Sequence, residues 1–368
     1  MSLTKEGEES PGPRGKIFVW RAICASKEAL MIPPILYDNL IRPLLFQLDP
    51  ETIHHITMQA LRGLAQIPWH PTHDPKLERT VFGLKFPNPI GLAAGMDKEA
   101  VALSAWQTLG FGFVEAGTIT AHAQPGNPKP RIFRLPDMGG LINRMGFNNS
   151  GAEAVAQRLE GLKASGNWPT IPVGINLGKT KLTPLEEAPQ DYLLSFNRLF
   201  EVGDYFVLNV SSPNTPGLRT LQGKDELNDL LGAVMTANRA KPAPKPLLLK
   251  IAPDLEWPQI DEILELVTTH GLAGLIATNT TLDHSCVPAE RDQTGGLSGK
   301  PLRARSTEIV RYVCKHLDLP VIAVGGIFDA DAAKEKLDAG AALVQLYTGF
   351  IYRGPALIPE ICAALKQR

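Results

Sequence analysis

Short apolar runs, each followed by a stretch with helical spacing, repeat along most of this chain. The runs cover 89–94, 112–116, 173–177, 205–210, 247–251, 274–278, 321–324 and 343–346. Apolar runs of this length, bounded by glycine or polar punctuation, read as strands buried on both faces. Between them lie amphipathic segments such as 259–270 and 330–339. Eight strands alternating with helices predict an α/β fold of the (β/α)8 TIM barrel class. Just upstream, Val81-Phe-Gly-Leu-Lys-Phe86 predicts a small lead-in hairpin.

The N-terminal part has a different period. Ile35, Leu36, Leu40, Ile41, Leu44, Leu45 and Leu48 form an apolar stripe on one predicted helix. Asp49-Pro50 has the form of an N-cap followed by proline at the first helical position. A second helix carries Ile53, Ile56, Ala60, Leu61, Leu64 and Ile67 at three- and four-residue steps and ends at Pro68. Pro71-Thr-His-Asp-Pro75 reads as a linker. The acidic, Pro/Gly-rich first 16 residues read as disordered, and Met31 is a possible alternative start. The expected organisation is a disordered extension (1–30), a two-helix module (31–72) and a barrel (73–368).

Composition narrows the function. The 368 residues are 44% hydrophobic and 20% charged, with net charge -1. Such a balance argues against nucleic-acid binding. The four cysteines (Cys24, Cys286, Cys314, Cys362) form no Cys-x-x-Cys pair, so neither a metal site nor a disulfide framework is expected. No apolar run approaches the roughly 18 residues of a membrane span, and no signal-peptide pattern is present.

Candidate chemistry lies at the strand ends, where barrels of this class keep their active sites. All eight runs carry small or polar residues there: Gly95-Met-Asp-Lys98, Gly117-Thr118, Asn176, Asn209 to Ser212, Lys250, Thr278-Asn-Thr-Thr281, Gly325-Gly326 and Tyr347-Thr348-Gly349. A barrel serving only as scaffold needs no such set. The glycines after runs seven and eight suit a phosphate-bearing ligand held by backbone N–H groups. Gly295-Gly-Leu-Ser-Gly299 reads as a flexible segment or a plain turn. Lys250, inside an apolar run, is a Schiff-base nucleophile, a cation beside an electron-rich ring, or an outward-snorkelling lysine. Asn143-Arg-Met-Gly-Phe-Asn-Asn149 is an Asn-rich turn or a source of amides for a planar imide. Asn209-Val-Ser-Ser-Pro-Asn-Thr-Pro-Gly-Leu-Arg219 is a polar turn or the centre of the site.

These motifs resemble those of the dihydroorotate dehydrogenases, in the quinone-dependent, membrane-associated class 2. The likeness runs from about Tyr37 to Leu365. It rests on Leu48-Asp-Pro-Glu51, Gly91 to Lys98, Pro125 to Arg131, Leu141 to Asn148, Ser211 to Arg219, Lys250 to Asp254, Ala277 to Thr281 and Gly295 to Gly299. The resemblance implies oxidation of dihydroorotate to orotate with FMN as hydride acceptor and ubiquinone or menaquinone as final acceptor. By resemblance FMN is held by Ala94, Gly95, Met96, Asp97, Lys98, Thr118, Asn176, Asn209, Lys250, Thr278, Gly299, Gly326, Tyr347 and Thr348. Dihydroorotate is held by Lys98, Asn143, Arg144, Met145, Gly146, Phe147, Asn209, Asn214, Asn279 and Thr280. Ser212 corresponds to the catalytic base, with Thr215 and a water as its relay, and Lys250 stabilises reduced flavin. Class 1 relatives carry Cys at position 212 and lack the two helices. His54, Arg134 and Tyr347 correspond to quinone-site positions.

The resemblance further implies a monomer held peripherally on the cytoplasmic face of a bacterial inner membrane by the helix pair, although such helices commonly just pack on the barrel. Ala121-His122-Ala123 departs from the family's usual proline-flanked basic residue. Two other readings of the barrel remain at this point: a phosphate-binding aldolase with Lys250 as Schiff-base lysine, and a dehydrogenase using a soluble acceptor.

Overall fold

Eight parallel strands close into a barrel, and each corresponds to one of the apolar runs. In this computed structural model residues 32–65 and 74–367 are described. The expectations for 1–30, Met31, Ile67 and Pro68, and most of the 71–75 linker, lie outside them. In chain order the barrel strands are β3 (Ile90–Leu92), β4 (Phe113–Ile119), β7 (Val173–Leu177), β8 (Tyr205–Asn209), β9 (Leu247–Ile251), β10 (Gly274–Ala277), β12 (Val321–Val324) and β13 (Leu343–Leu346). β13 pairs back onto β3 and completes the ring. The helical periods at 259–270 and 330–339 correspond to helices Trp257–His270 and Ala330–Asp338.

The N-terminal end of the barrel is plugged by aromatic rings. The hairpin β1 (Arg79–Val81) and β2 (Leu84–Phe86) lies here, and Phe86 meets Phe113 edge-on at 5.2 Å. The Phe113 and Tyr205 rings fill the barrel interior because two strands offer glycine opposite them. A Cβ on Gly91 would lie 2.2 Å from the Phe113 ring, and one on Gly174 2.1 Å from the Tyr205 ring. Any larger residue at either place would displace a buried ring, at a cost of about 1–3 kcal/mol.

Outside the barrel, β5 (Ile132–Leu135), β6 (Gly140–Asn143) and β11 (Gly296–Gly299) form an antiparallel sheet. This corrects the reading of 295–299 as a flexible segment or turn: Gly296 to Gly299 pair in register with Asn143 to Gly140. Glycine at 296 and 299 hid the strand from propensity. A Cβ on Gly296 would lie 1.9 Å from Thr280 Oγ1, so close approach to the site loop requires glycine there.

The first helix spans 34–46 with a π-helical turn at Tyr37–Ile41. Pro43 accounts for the turn: it has no N–H to donate and its ring crowds the carbonyl four residues back. The second helix, Pro50–Leu64, is capped by Asp49, whose side chain accepts from the Thr52 N–H at 2.8 Å. The helix is described to Leu64, with Ala65 as C-cap. Little of this pair packs on the barrel. The first helix buries no residue, and the second buries Glu51 and Met58. Ile35, Leu40, Leu44 and Ile56 are each more than half exposed. The apolar stripe of the first helix therefore faces largely outward.

Polar anchors hold the pair in place. The Tyr37 hydroxyl donates to Ile351 O at 2.8 Å and Arg42 donates to Tyr352 O at 2.9 Å. Arg134 donates to Phe46 O at 2.9 Å and Leu48 O at 3.0 Å, closing the end of the first helix. Glu51 accepts two bonds from Arg131, at 3.0 and 2.7 Å, with both side chains buried. This pair joins the second helix to the segment that leads into β5.

Candidate active site at the barrel mouth

The C-terminal half of the barrel interior is polar where the other half is apolar. Glu115, fully buried on β4, organises it. Its two oxygens accept from Asn176 Nδ2 at 2.7 Å and Gln345 Nε2 at 2.5 Å, and Lys250 Nζ lies 3.8 Å away. Lys250 thus points inward and has a carboxylate beside it, which excludes the snorkelling orientation and offsets the cost of burying the ammonium. Above Glu115, Asn176 Oδ1 accepts from Thr118 at 2.5 Å and from Asn209 at 3.1 Å. Asn209 Oδ1 accepts from Asn279 at 3.3 Å, and Asn279 also donates to Ser211 Oγ at 3.0 Å. Sequence reasoning missed Glu115, Gln345 and Ser298. The signal for Glu115 was a lone carboxylate in the run Phe113-Val-Glu-Ala116, the same kind of signal that singled out Lys250.

A cleft of about 960 Å3, including its open mouth, rises from this floor. Its walls bring together most of the predicted site: Ala94, Gly95, Lys98, Thr118, Asn209, Lys250, Thr278, Gly299, Gly326, Tyr347 and Thr348 on one hand, and Asn143, Met145, Gly146, Phe147, Ser212, Asn214, Asn279 and Thr280 on the other. Ser298 and Gln345 join them. Two buried oxygens on the cleft wall, Thr280 Oγ1 and Gln345 Oε1, have no protein partner. Buried polar atoms of this kind are normally satisfied by ligand or water.

Some predicted residues lie elsewhere. Asp97 faces away from the cleft and accepts from Val101 N at 2.8 Å, Ala102 N at 2.9 Å and Trp106 Nε1 at 3.1 Å. It fixes the backbone after β3, and burial raises its pKa against these bonds. Met96 sits in the hydrophobic core. Asn176 stands behind Thr118 and Asn209 in the network. The Arg144 side chain turns outward, over the Phe133 ring at 4.6 Å and onto Thr294 Oγ1 at 3.0 Å, so only its backbone borders the site loop. Thr215 does not line the cleft, but its buried hydroxyl has no partner.

The loop after β6 is built for shape. Phe147 adopts φ +53°, a conformation rarely taken by a bulky residue and common at functional sites. The Gly146 and Phe147 carbonyls accept from Gln124 at 3.0 and 3.1 Å, which holds the loop over the cleft. Asn214 Nδ2 donates to Asn143 Oδ1 at 3.1 Å, linking this loop to the one after β8. Ser212 Oγ accepts from Asn214 N at 3.2 Å, which leaves its own proton free to point elsewhere. Among the described residues no carboxylate or imidazole is hydrogen-bonded to Ser212. The departure at 121–123 is held without prolines: the Thr120 hydroxyl donates to His122 O at 2.6 Å, and His122 N donates to Thr180 Oγ1 at 3.3 Å.

Lys98 supplies a cation at the cleft edge. Burial pushes its pKa down to about 8, with Arg131 pressing the same way, so it remains mostly charged at neutral pH. Its Nζ lies 3.2 Å from Met145 Sδ. His54, on the second N-terminal helix, is lowered to about 3 by burial and then by the nearby Lys98 cation. It is neutral at physiological pH. Neither His54 nor Arg134 lines the cleft. Arg134 stacks over Phe46 at 4.5 Å, and its buried Nη2 lacks a partner.

A closed (β/α)8 barrel with a polar cleft at the C-terminal ends of its strands defines an enzyme of the TIM barrel class. Residues 76–368 match the family model described as dihydroorotate dehydrogenase. A "Dihydroorotate dehydrogenase (quinone)" of Gloeobacter violaceus is 53% identical over 341 residues, covering 90% of this chain and 94% of its own. One of the same name from Christiangramia forsetii is 51% identical, covering 89% and 97%. The crystal structure of a DHODH from Eimeria tenella in complex with ferulenol superimposes with TM-score 0.80 at 38% identity, covering 86% of this chain and 90% of that one. The chain belongs to the dihydroorotate dehydrogenase family, among its quinone-type members. That sets aside the aldolase reading of Lys250 and the soluble-acceptor reading.

Proposed function

We propose that this protein oxidises dihydroorotate to orotate in pyrimidine biosynthesis, with FMN as its cofactor and a membrane quinone as final electron acceptor. The observation that carries the reading is the cleft itself. Ser212, two lysines and a ring of asparagine amides converge there on one space. Its polar groups suit FMN: ammonium and amide donors at the barrel floor, an unpartnered amide oxygen at Gln345 that accepts, an unpartnered hydroxyl at Thr280, and glycine backbone at the ends of β12 and β13. Lys250, Thr118, Asn209, Thr278, Gly326 and Thr348 would hold it. When bound, FMN supplies the acceptor for the hydride from C6 of the substrate.

The chain's own residues do the rest. Asn143, Asn214 and Asn279 present both donors and acceptors, which matches an imide ring. The Lys98 ammonium is placed to pair with the substrate carboxylate. Ser212 takes the proton from C5. A hydroxyl is a weak base, so it must pass its own proton on as it does so, and the unpartnered Thr215 hydroxyl in the same loop supports a relay through that residue and a water. Glu115 fixes the Asn176 and Gln345 amides and sits beside Lys250, so the floor is oriented before any ligand arrives.

The N-terminal helices serve the quinone side. No helix among the described residues is long and apolar enough to cross a membrane. The outward apolar face made by Ile35, Leu40, Leu44 and Ile56 suits insertion at a bilayer surface. The protein would then sit peripherally on the inner face of a bacterial membrane, with ubiquinone or menaquinone passing near His54, Arg134 and Tyr347. In the test, the purified chain is examined for a flavin spectrum, bleached with dihydroorotate under anaerobic conditions and re-oxidised by a long-tailed quinone. Absence of bleaching overturns the reading. A Leu40→Glu/Leu44→Glu variant should bleach normally but lose liposome binding; unchanged binding would remove the membrane role from this face.

A further inference from the structure

Another buried lysine stands behind the cleft, and the proposed chemistry does not use it. Lys336, on helix Ala330–Asp338, is fully buried. Its Nζ donates to Ser306 Oγ and to Arg303 O at 3.3 Å. Both acceptors belong to helix Arg303–His316. Among the described residues no carboxylate lies within ion-pair distance of it. The neighbouring Glu335 is taken by Arg303, at 2.7 Å. Burial pushes the Lys336 pKa down to about 7; Glu335 pulls against this, while Arg303 and Arg311 add to it. Such a lysine is costly to keep, and a methionine of similar length would pack there more cheaply.

What the lysine touches gives the reason. The Ser306 hydroxyl reaches two carbonyls, Gly325 O at 3.2 Å and Arg303 O at 3.3 Å, and Arg303 O already accepts from Lys336 and from the Thr307 hydroxyl, which leaves the serine proton to Gly325 O. Because the ammonium has no lone pair, it can only donate to Ser306 Oγ, so the serine proton is left for a carbonyl. Gly325 follows β12 and borders the cleft, as does Gly326. In a trans peptide the C=O and the next N–H point in opposite directions. Holding the Gly325 carbonyl back against Ser306 therefore turns the Gly326 N–H toward the cleft. Gly325 has φ +123° and Gly326 φ +72°, and both favour glycine, so the peptide has little side-chain restraint of its own and could flip. Ser306 and Lys336 restrain it.

We propose that Lys336, acting through Ser306, fixes the Gly325–Gly326 peptide with its N–H aimed into the cleft and so sets the protein's affinity for the phosphate monoester of its flavin. Lys336 is a positioning residue and touches no ligand. The inference rests on the flavin reading above.

The test compares FMN with riboflavin, which lacks only the phosphate. The full-length chain is freed of bound flavin and checked by circular dichroism. Binding of both is then followed by flavin fluorescence at pH 6.5, where the ammonium is charged. Lys336→Met and Ser306→Ala should each weaken FMN at least about tenfold, the scale of a lost hydrogen bond to a charged group, and leave riboflavin within about twofold. The double variant should do no more than either single one, since both act on one peptide. Equal weakening of the two flavins, or no change in either, overturns the proposal and makes Lys336 a packing residue. If Lys336→Met does not fold, Ser306→Ala, which removes one hydroxyl, decides alone. A wild-type chain that binds neither flavin refutes the flavin reading instead.

Discussion

Replacing Glu51 with glutamine tests how the N-terminal helices are held. The carboxylate accepts from Arg131 at 3.0 and 2.7 Å, and Lys129 adds a contact at 3.3 Å. Burial alone would raise the Glu51 pKa; the Arg131 guanidinium and then Lys129 overcome it and hold the group at about 2, against an ordinary 4.5. That interval corresponds to about 3 kcal/mol favouring the charged form in the folded protein. Lys129 is well exposed, and solvent screening on that side reduces the figure to about 2 kcal/mol. Arg131 keeps its bonds to Pro125 O and Asn127 O, both at 2.8 Å, so the variant does not strand the guanidinium entirely. The sign follows from the depressed pKa. The stabilisation is complete above about pH 4.5 and is lost as pH falls toward 2, because the unfolded chain takes up the proton first. Glu51→Gln should therefore lose about 2 kcal/mol at pH 7, read by denaturant unfolding. Its helix Pro50–Leu64 should exchange amide hydrogens faster than the barrel strands do. The gap to wild type should narrow below pH 4.5. A loss under about 0.5 kcal/mol at pH 7, or a gap that widens with acid, would refute the assignment of this pair as the main clamp.

Other outcomes follow from the same geometry. Ser212→Ala should retain FMN and slow flavin bleaching by dihydroorotate by roughly 10²–10⁴-fold; stopped-flow rates within about threefold of wild type would remove Ser212 from proton transfer, and Ser212→Cys should recover activity as pH rises and its thiolate forms. Lys250→Met leaves Glu115 buried without its cation, so it should weaken FMN binding or slow flavin bleaching and lower the melting temperature, whereas a borohydride-trapped adduct on Lys250 in the wild type would revive the aldolase reading. His54, held near 3 by burial, cannot charge in the folded state between pH 6.5 and 4 while the unfolded chain does, so wild type loses stability on acidification through that range. His54→Gln should flatten that loss, and an unchanged pH–stability curve would mean that His54 is solvated.

Much of this protein was legible in its sequence. The eight barrel strands are continuous apolar runs because a parallel strand is buried on both faces, and that pattern depends on no distant residue. The Asp49 cap and the helix after it were equally local. Strand ends pointed to the cleft because a closed barrel places all of them at one mouth. Other features required the tertiary structure. β11 is read as a turn from its glycines, yet those glycines exist because Thr280 and the Gly139 carbonyl press against it. Asp97 and Lys98 are adjacent in sequence, but only the fold turns one into the backbone and the other into the cleft. The same holds for the apolar stripe on the first helix, which has the same spacing whether it faces a core or a bilayer. Periodicity records which residues share a face. Which neighbour that face meets depends on contacts far apart in the chain, such as Glu51 with Arg131 or Lys336 with Ser306, and no local pattern encodes them.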